Sequence, residues 1–289
     1  MTRKRLALLG SPVDAALSPV LHRAAYRALG LNWTYQAIDC TPEQLPAFLA
    51  GLDDTWAGLS LTMPLKRAAV PLLDEVSDTV KATGTANTIT CVDGQLLGEN
   101  TDFTGVLYAL WDSGVTRAES ACVLGAGATA STALAVLHTL GCSTATVVAR
   151  DTSRIHELAL AAERIGITAH IRPWDQALRH LDADLVVSAL PPGAADPLAP
   201  HWPTTGNTLL DVVYRPWPTP LARAAQDRGS TVIGGLPMLV HQAARQVELQ
   251  TGHSPAPWEA MYAAARRALP DSSSSVYGTD VRPFRSSSL

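Results

Sequence analysis

Thirty consecutive residues without a charged side chain, residues 120–149, constrain the fold of this chain more than any other feature. The stretch is long enough to cross a membrane. However, Gly125, Gly127 and Gly141 interrupt it, together with many serine and threonine residues. We therefore predict a strand, a turn, a helix and a second strand, all buried in a protein core.

The turn in this stretch has the pattern Gly-x-Gly-x-x-Ala, with an apolar run before it and an alanine-rich helical sequence after it. The first glycine of such a turn allows the tight bend, and the second lets the backbone approach a pyrophosphate. Backbone N–H groups at the helix N-terminus then face the anion. A plain glycine-rich turn is the alternative. The context on both sides favours a dinucleotide site formed by Gly125, Ala126, Gly127, Ala128, Thr129 and Ala130.

The end of the second strand indicates which dinucleotide is bound. NAD-binding proteins place an acidic residue on the ribose hydroxyls at this point, about 20 residues after the turn. This chain has Arg150 there and Arg154 four residues later. A guanidinium forms charge-assisted hydrogen bonds with a 2′-phosphate, so NADP is favoured over NAD. Asp151 would repel that phosphate, and a solvated helix start with surface arginines is the alternative.

Composition limits the partners and the compartment. The formal net charge is −4, with 22 Lys and Arg against 26 Asp and Glu, so the basic patch expected of a nucleic-acid-binding protein is missing. The four cysteines form no CxxC pair and are typical of reduced thiols in a cytoplasmic protein. The apolar run at residues 6–9 is too short for the core of a signal peptide. We expect a cytoplasmic protein with a small-molecule partner and neither nucleic acid nor membrane as a partner.

Short β-branched or leucine-rich runs alternate with alanine-rich helical stretches along the chain, which is typical of an α/β protein with mostly parallel sheets. The pair Asp93-Gly94 between two apolar runs predicts one antiparallel hairpin. We place a first domain at residues 1–105 and a Rossmann-type domain at residues 106–236. The helical region 237–268 is expected to return to the first domain, and the serine-rich tail 271–289 is expected to be disordered.

Polar residues follow or precede several apolar runs of the first domain, where α/β proteins place ligand sites. Lys66 comes after a strand that ends at a proline, and the stretches containing Asn87 and Asp102 border the next apolar runs. Taken singly, these are a surface lysine and two turns. If they converge on one cleft, they form a site for a polyhydroxylated substrate.

The chain resembles the shikimate dehydrogenase family over residues 5–268. The order and spacing of the matching stretches carry the resemblance: LLGSPVDAALSPVLHRAAYRALGL, LSLTMPLK, GTANTI, GENTDFTGV, GAGATAS, VVARDTSR, DLVVSALPPG, LLDVVYRPWPTPL and GGLPMLVHQAA. The resemblance implies an N-terminal α/β substrate-binding domain with a mainly parallel sheet and a C-terminal Rossmann-type NADP-binding domain. It also implies reversible, NADP-dependent reduction of 3-dehydroshikimate, a ring carboxylate, to shikimate.

The resemblance assigns roles to individual residues. Lys66 and Asp102 match the pair that handles the proton of the substrate hydroxyl. The positions that match substrate contacts are Ser18, Ser60, Thr62, Asn87, Tyr214 and Gln242. Besides the glycine-rich turn, the positions that match NADP contacts are Arg150, Arg154, Ser188, Ala189, Leu190, Gly235 and Met238.

Two departures from the family pattern bear on the substrate. The family usually has two serines as S-x-S-P, whereas this chain has Ala16 before Ser18, so one hydroxyl for the substrate carboxylate is missing. Ser60 stands where many members have Asn. These changes keep open a quinate or aminoshikimate dehydrogenase. A non-catalytic NADP-binding sensor is a further alternative, which the presence of both Lys66 and Asp102 disfavours.

Other candidate residues are interpreted as structural. Three histidines in helical sequences have no metal-ligand spacing and predict no metal site: His22, His138 and His241. Three tryptophans in proline-rich stretches are interpreted as packing residues: Trp202, Trp217 and Trp258.

Overall fold

The computed structural model describes residues 3–14, 16–150 and 155–269. These residues divide into two compact units. The first contains Met1–Gly105 and Leu239–Leu269, and the second contains Val106–Met238. The expected disordered tail, 271–289, lies outside the described residues.

The first unit contains one sheet flanked by helices. Its strands are β1 (Arg5–Gly10), β2 (Thr34–Asp39), β3 (Trp56–Leu61), β4 (Glu75–Val76), β5 (Thr88–Val92) and β6 (Gln95–Glu99). Its helices are α1 (Ser18–Ala28), α2 (Leu45–Ala50), α3 (Leu65–Ala68) and α4 (Asp78–Thr83), together with the start of α5 (Asp102–Asp112), most of α9 (Gly235–Thr251) and α10 (Trp258–Ala268).

The strand order in the first sheet is β2-β1-β3-β5-β6-β4, and only the β3–β5 and β5–β6 pairs are antiparallel among these strands. The predicted hairpin is confirmed, because β5 and β6 pair from Val92 with Gln95 around Asp93-Gly94. Both turn residues have positive φ, as a two-residue hairpin turn requires. Since β5 runs opposite to its neighbours, its beginning lies at the same edge as the ends of β3 and β6.

The second unit has the predicted Rossmann-type sheet. Its strands are β7 (Ala121–Leu124), β8 (Thr144–Ala149), β9 (Thr168–Pro173), β10 (Leu185–Ser188), β11 (Thr208–Asp211) and β12 (Thr231–Ile233). Its helices are most of α5, α6 (Ala128–Thr139), α7 (Ile155–Ile165), α8 (Pro220–Asp227) and the start of α9.

All strand pairs of the second sheet are parallel, in the order β12-β11-β10-β7-β8-β9. Counted within the unit, this is the order 6-5-4-1-2-3 of dinucleotide-binding folds, in which the order reverses between the first and fourth strands. The strand, turn, helix and strand predicted for residues 120–149 are β7, α6 and β8 with their connections. Every residue of β7 and β10 is buried, as in a parallel sheet covered on both faces.

The sequence did not predict two strands. β4 has only two residues, and a strand that short has no readable periodicity. β9 has the sequence TAHIRP with few buried residues, because it is an edge strand. Trp202 and Trp217 are buried in the core of the second unit, as interpreted from the sequence, and Trp258 is buried and stacks on Tyr262.

Candidate active site and nucleotide site

Three chain segments meet at one edge of the sheet in the first unit. Thr62 follows β3, and its N–H donates to the carbonyl of Leu9 at the end of β1 (2.9 Å). Asn87 precedes β5, and its carbonyl accepts from the N–H of Leu61 (2.7 Å). The N–H of Asn87 donates to the carbonyl of Glu99 at the end of β6 (3.1 Å). The segments that carry Lys66, Asn87 and Asp102 are therefore held side by side by the sheet.

Lys66 and Asp102 form an ion pair at this edge. Nζ of Lys66 lies 2.5 Å from Oδ2 of Asp102, and the two side chains are 15% and 5% exposed. The backbone holds both residues, since Lys66 lies in α3 and accepts from the N–H of Ala86 (2.8 Å), and Asp102 begins α5. A paired ammonium and carboxylate with so little water around them interact strongly and can transfer a proton to or from a ligand.

Asn87 connects this pair to Gln242. Its Nδ2 donates to Oδ1 of Asp102 (2.9 Å) and to Oε1 of Gln242 (2.8 Å). Its Oδ1 accepts from the backbone N–H of Thr101 (2.7 Å), which can only donate, so the orientation of the Asn87 amide is unambiguous. Both amide protons of Asn87 are thus directed at protein acceptors, whereas Nε2 of Gln242 has no acceptor among the described residues.

The hydroxyl residues of the predicted site differ in their surroundings. Ser60 is 1% exposed, and its hydroxyl donates to Oε1 of Gln246 (3.0 Å), so it is directed at the protein. Ser18 begins α1 and Thr62 follows β3, and neither hydroxyl is hydrogen-bonded to the part of the chain that is described. Among the predicted serine and threonine hydroxyls of the described residues, those of Ser18 and Thr62 therefore remain available to a ligand.

The second unit has a separate ligand edge at the carboxyl ends of β7 and β10. Gly125 follows β7 with a φ of +112°, and a Cβ built there would lie 2.9 Å from the carbonyl oxygen of Ala189. Only glycine allows this close approach of two backbones. Gly127 is the N-cap of α6 and provides no side-chain cap. The first N–H groups of the twelve-residue helix α6 are therefore open to an anion.

Arg150 follows β8 at the same edge of this sheet. Its guanidinium lies 5.5 Å from the ring centroid of Trp174, within the range of a cation–π contact. Trp174 was not predicted from the sequence. Arg154 and Asp151 lie outside the described residues. The glycine turn, the open helix N-terminus and a guanidinium after the second strand are the groups that would hold the pyrophosphate and the 2′-phosphate of NADP.

The other predicted nucleotide-side residues also belong to the second unit. Ser188 ends β10, and the N–H of Ala189 donates to the carbonyl of Leu124 (2.9 Å), which places Ala189 and Leu190 beside the glycine turn. Gly235 begins α9, where Met238 is buried. Tyr214, which the family resemblance assigns to the substrate carboxylate and not to the nucleotide, lies in the segment between β11 and α8.

Comparison with known proteins assigns the family. Residues 8–89 match the shikimate dehydrogenase substrate binding domain, and residues 235–266 match the shikimate 5′-dehydrogenase C-terminal domain. The shikimate dehydrogenase (NADP(+)) of Moorella thermoacetica is 38% identical, in an alignment that covers 93% of this chain and 94% of that protein. The chain belongs to the shikimate dehydrogenase family.

Solved structures of shikimate dehydrogenases have the same fold. The Mycobacterium tuberculosis enzyme is 41% identical, with a TM-score of 0.83 and coverage of 92% of this chain and 100% of that one. The Thermus thermophilus enzyme, solved in complex with NADP(H) and shikimate, is 38% identical, with a TM-score of 0.80 and the same coverage. The α/β fold class predicted from the sequence is thereby confirmed.

In this member of the shikimate dehydrogenase family, the edge of the first sheet that carries Lys66 and Asp102 contains an additional buried amide. Gln246 lies one helical turn after Gln242 and hydrogen-bonds to Ser60, His22 and Thr88. Gln246 is not among the residues predicted from the sequence. The available signal was the spacing of three glutamines, Gln242, Gln246 and Gln250, at every fourth position of α9.

The described residues contain no cluster of three or more His, Cys, Asp and Glu residues that could bind a metal ion. None of the helices described has the length and apolar character needed to span a membrane.

Proposed function

We propose that this protein catalyses the reversible, NADP-dependent reduction of 3-dehydroshikimate to shikimate. The observation that carries the proposal is the partly buried ion pair of Lys66 and Asp102, which Asn87 links to Gln242, whose amide donor has no acceptor among the described residues. An ion pair of this kind provides the proton that a ketone needs when it becomes an alcohol. Relatives named shikimate dehydrogenase (NADP(+)) support the choice of substrate and cofactor.

The chemistry divides between the cofactor and the chain. When bound, NADPH supplies the hydride from its nicotinamide ring. As the ring ketone gains alkoxide character, the Lys66 ammonium stabilises the negative charge and donates a proton to the oxygen. Asp102 holds the ammonium in place at 2.5 Å. Lys66 is 15% exposed, so it can recover the proton from solvent. General acid–base help of this kind contributes about 10²- to 10⁴-fold in rate.

The remaining predicted residues orient the ring. Gln242 would present an amide donor and Thr62 a hydroxyl to the ring oxygens, and Ser18 would hold the carboxylate. The family resemblance also assigns Tyr214 to the carboxylate. Asn87 uses both amide protons on Asp102 and Gln242, so we assign it the task of fixing these two side chains relative to each other.

The nucleotide is bound by the second unit. Gly125 to Ala130 would receive the pyrophosphate, and Ser188, Ala189 and Leu190 would border the nucleotide beside this turn. Gly235 and Met238 would flank the nicotinamide. Arg150, with Arg154, would bind the 2′-phosphate, which favours NADP over NAD. We infer a cytoplasmic location, which the four free thiols support.

The alternatives concern the ring and the activity. Ala16 removes one hydroxyl from the family's carboxylate clamp, which keeps a quinate or aminoshikimate dehydrogenase as a second candidate. A silent NADP sensor would need neither Lys66 nor Asp102, and their direct pairing argues against it.

The test is a panel of assays that follow absorbance at 340 nm. Shikimate, quinate and an aminated shikimate are each offered with NADP and with NAD. We expect the highest kcat/KM for shikimate with NADP. A higher kcat/KM for quinate or the amine would reassign the substrate, and no turnover with any pair would favour the sensor.

A further inference from the structure

Gln246 is a buried amide that the proposed reaction does not use directly. It is 1% exposed on α9, one turn after Gln242. Its side chain reaches three other elements, since it hydrogen-bonds to His22 on α1, Ser60 on β3 and the start of β5 at Thr88. A buried amide with this many partners is either structural or holds neighbouring side chains in place.

The orientation of the Gln246 amide follows from its partners. Its Nε2 lies 3.3 Å from the backbone carbonyl of Asn87, which can only accept, and 3.1 Å from Oγ1 of Thr88. Its Oε1 accepts from the hydroxyl of Ser60 (3.0 Å). The reverse orientation would place two carbonyl oxygens against each other, so it is excluded.

His22 completes the hydrogen bonds of Gln246. Burial lowers the pKa of His22 to about 4, while its hydrogen bond to Gln246 opposes that shift, so the imidazole is neutral at neutral pH. Nε2 of His22 lies 3.1 Å from Oε1 of Gln246, and because a carbonyl oxygen cannot donate, this nitrogen carries the proton. The ring stacks on Tyr35 with 4.1 Å between centroids. Gln246 is therefore hydrogen-bonded to a histidine that is itself packed against an aromatic ring.

The network extends from Gln246 to Gln242. Oε1 of Gln242 accepts from Nδ2 of Asn87 (2.8 Å) and lies 3.5 Å from Nε2 of Gln246. The NH₂ group of Gln246 shares its two protons among three acceptors, of which Oε1 of Gln242 is the most distant, and Asn87 provides the shorter bond to that oxygen. The NH₂ group of Gln242 is turned away from these donors, and the described residues offer it no acceptor.

We propose that Gln246 is a positioning residue that holds the Gln242 amide with its NH₂ group toward an oxygen of the ring substrate. This inference rests on the proposed function, because it assigns the donor that the substrate meets. A ring group that can only donate, such as an ammonium at that position, would face another donor and be disfavoured. Ser60 is a positioning residue too, because its hydroxyl donates to Oε1 of Gln246 and fixes that amide instead of binding the ring.

A double-mutant cycle tests the proposal. Gln246→Met, Gln242→Ala and the double variant are compared by KM and kcat for shikimate and by the Kd of NADP. Loss of one oriented hydrogen bond should raise KM about 3- to 10-fold in Gln246→Met, while the Kd of NADP stays unchanged. In the Gln242→Ala background the same change should raise KM by less than about twofold, because the residue it positions is gone. Unchanged KM in Gln246→Met, or full additivity in the cycle, would overturn the proposal.

Gln250→Met is the matched control. Gln250 lies one turn further along α9 and is also buried, and its Nε2 donates to the backbone carbonyls of Leu59 (3.1 Å) and Ile89 (3.2 Å). It has no bond to Gln242 or Ser60. This variant should lower Tm as Gln246→Met does and leave KM for shikimate unchanged. An equal rise of KM in both variants would show that any loss of buried amide bonds has this effect.

A second measurement separates this proposal from the proposed function. A crystal structure of Gln246→Met should show the Gln242 side chain displaced or in more than one conformer, because only Asn87 then holds its Oε1, whichever ring acid the wild type uses. A Gln242 side chain that is unchanged in position would refute the positioning role. If Gln246→Met does not fold because the Ser60 hydroxyl is left unpaired, the pair Ser60→Ala/Gln246→Met removes that hydroxyl and is measured in the same way. Failure of the wild type to oxidise shikimate would refute the function and leave the crystallographic result decisive for Gln246.

Discussion

The carboxylate of Asp102 has a different donor on each oxygen. Oδ2 pairs with Lys66 and Oδ1 accepts from Nδ2 of Asn87. Because rotation of the carboxylate would break one of these bonds, Asp102 is fixed, and it fixes the Lys66 ammonium in turn. Geometry of this kind has to be held within a fraction of an ångström for efficient catalysis. At the scale of single residues, the position of the Lys66 ammonium thus depends on the buried hydrogen bond from Asn87 to Asp102 as well as on the ion pair.

Arg150→Ala should weaken NADP binding about 10- to 150-fold, because a charge-assisted hydrogen bond contributes roughly 1.5–3 kcal/mol. NAD has no 2′-phosphate, so its affinity should change little. Isothermal titration of both nucleotides measures this. Arg117→Ala is the control, since Arg117 is exposed, pairs with Glu119 and precedes the opposite end of β7. Equal losses for NADP and NAD would mean that Arg150 binds a group common to both.

Ala16→Ser should restore the second hydroxyl for the substrate carboxylate. We expect KM for shikimate to fall by at most about 10-fold, since the new hydrogen bond must offset the desolvation of the hydroxyl. The turnover number should hardly change, because the carboxylate is remote from the reacting carbon. Steady-state kinetics with shikimate and quinate measure both. If shikimate gains nothing while quinate loses, Ala16 instead makes room for a larger substituent.

At the scale of elements, the strand–turn–helix of β7 and α6 shows why a glycine-rich turn is required. β7 is buried along its whole length, and Ala130 in the first turn of α6 is also fully buried. The helix therefore packs tightly on the sheet, and the backbone must bend sharply at Gly125. The positive φ and the nearby Ala189 carbonyl leave no space for a side chain there.

Gly125→Ala should therefore lower both stability and nucleotide affinity. A strained positive φ costs about 1–3 kcal/mol, and the Cβ also forces β7 and β10 apart where the pyrophosphate would bind. Gly141→Ala is the matched control, because Gly141 has a φ of +91° with no atom within 4 Å of the added Cβ. Thermal unfolding and NADP titration compare the two. An unchanged Kd in Gly125→Ala would remove this turn from the nucleotide site.

At the scale of the whole molecule, folding buries His22 as a neutral ring. Its pKa is lowered from 6.5 to about 4 by burial, so the unfolded chain binds a proton more readily than the folded one. The stability from this group is complete above pH 6.5 and is lost as the pH falls from 6.5 to about 4. The shift corresponds to about 3 kcal/mol.

His22→Phe tests this linkage, because phenylalanine keeps a ring against Tyr35 and does not titrate. The free energy of unfolding is measured in urea from about pH 7.5 to about pH 4.5 for both proteins. The free energy of unfolding of the wild type, relative to that of the variant, should fall by about 2.5 kcal/mol over this range. A constant difference would show that His22 is not the group that titrates.

The sequence predicted the fold well because its signals are local. Charge-free runs, a Gly-x-Gly turn and an Asp-Gly pair each determine a few adjacent residues, and β7, α6 and the β5–β6 hairpin follow from them. The matching family motifs also predicted that Lys66 and Asp102 form a pair, and the two side chains do form an ion pair. The hydrogen bonds from Ser60 to Gln246 and from Asn87 to Gln242 could not be predicted, because the two glutamines are more than 150 residues away in the chain. β9 has too few buried and β-branched residues to be recognised as a strand.

The central claim is that Lys66 exchanges the proton of the substrate oxygen, donating it when the ketone is reduced and accepting it when shikimate is oxidised, and Lys66→Ala tests this most directly. Steady-state kinetics with shikimate and NADP are compared for the wild type, this variant and Lys81→Ala, whose lysine is exposed and pairs with Asp78 at the surface. Because the ammonium acts when charge develops in the transition state, kcat should fall about 10²-fold or more in Lys66→Ala, with little change in KM. Lys81→Ala should behave as the wild type. A Lys66→Ala protein with near wild-type kcat would contradict the account.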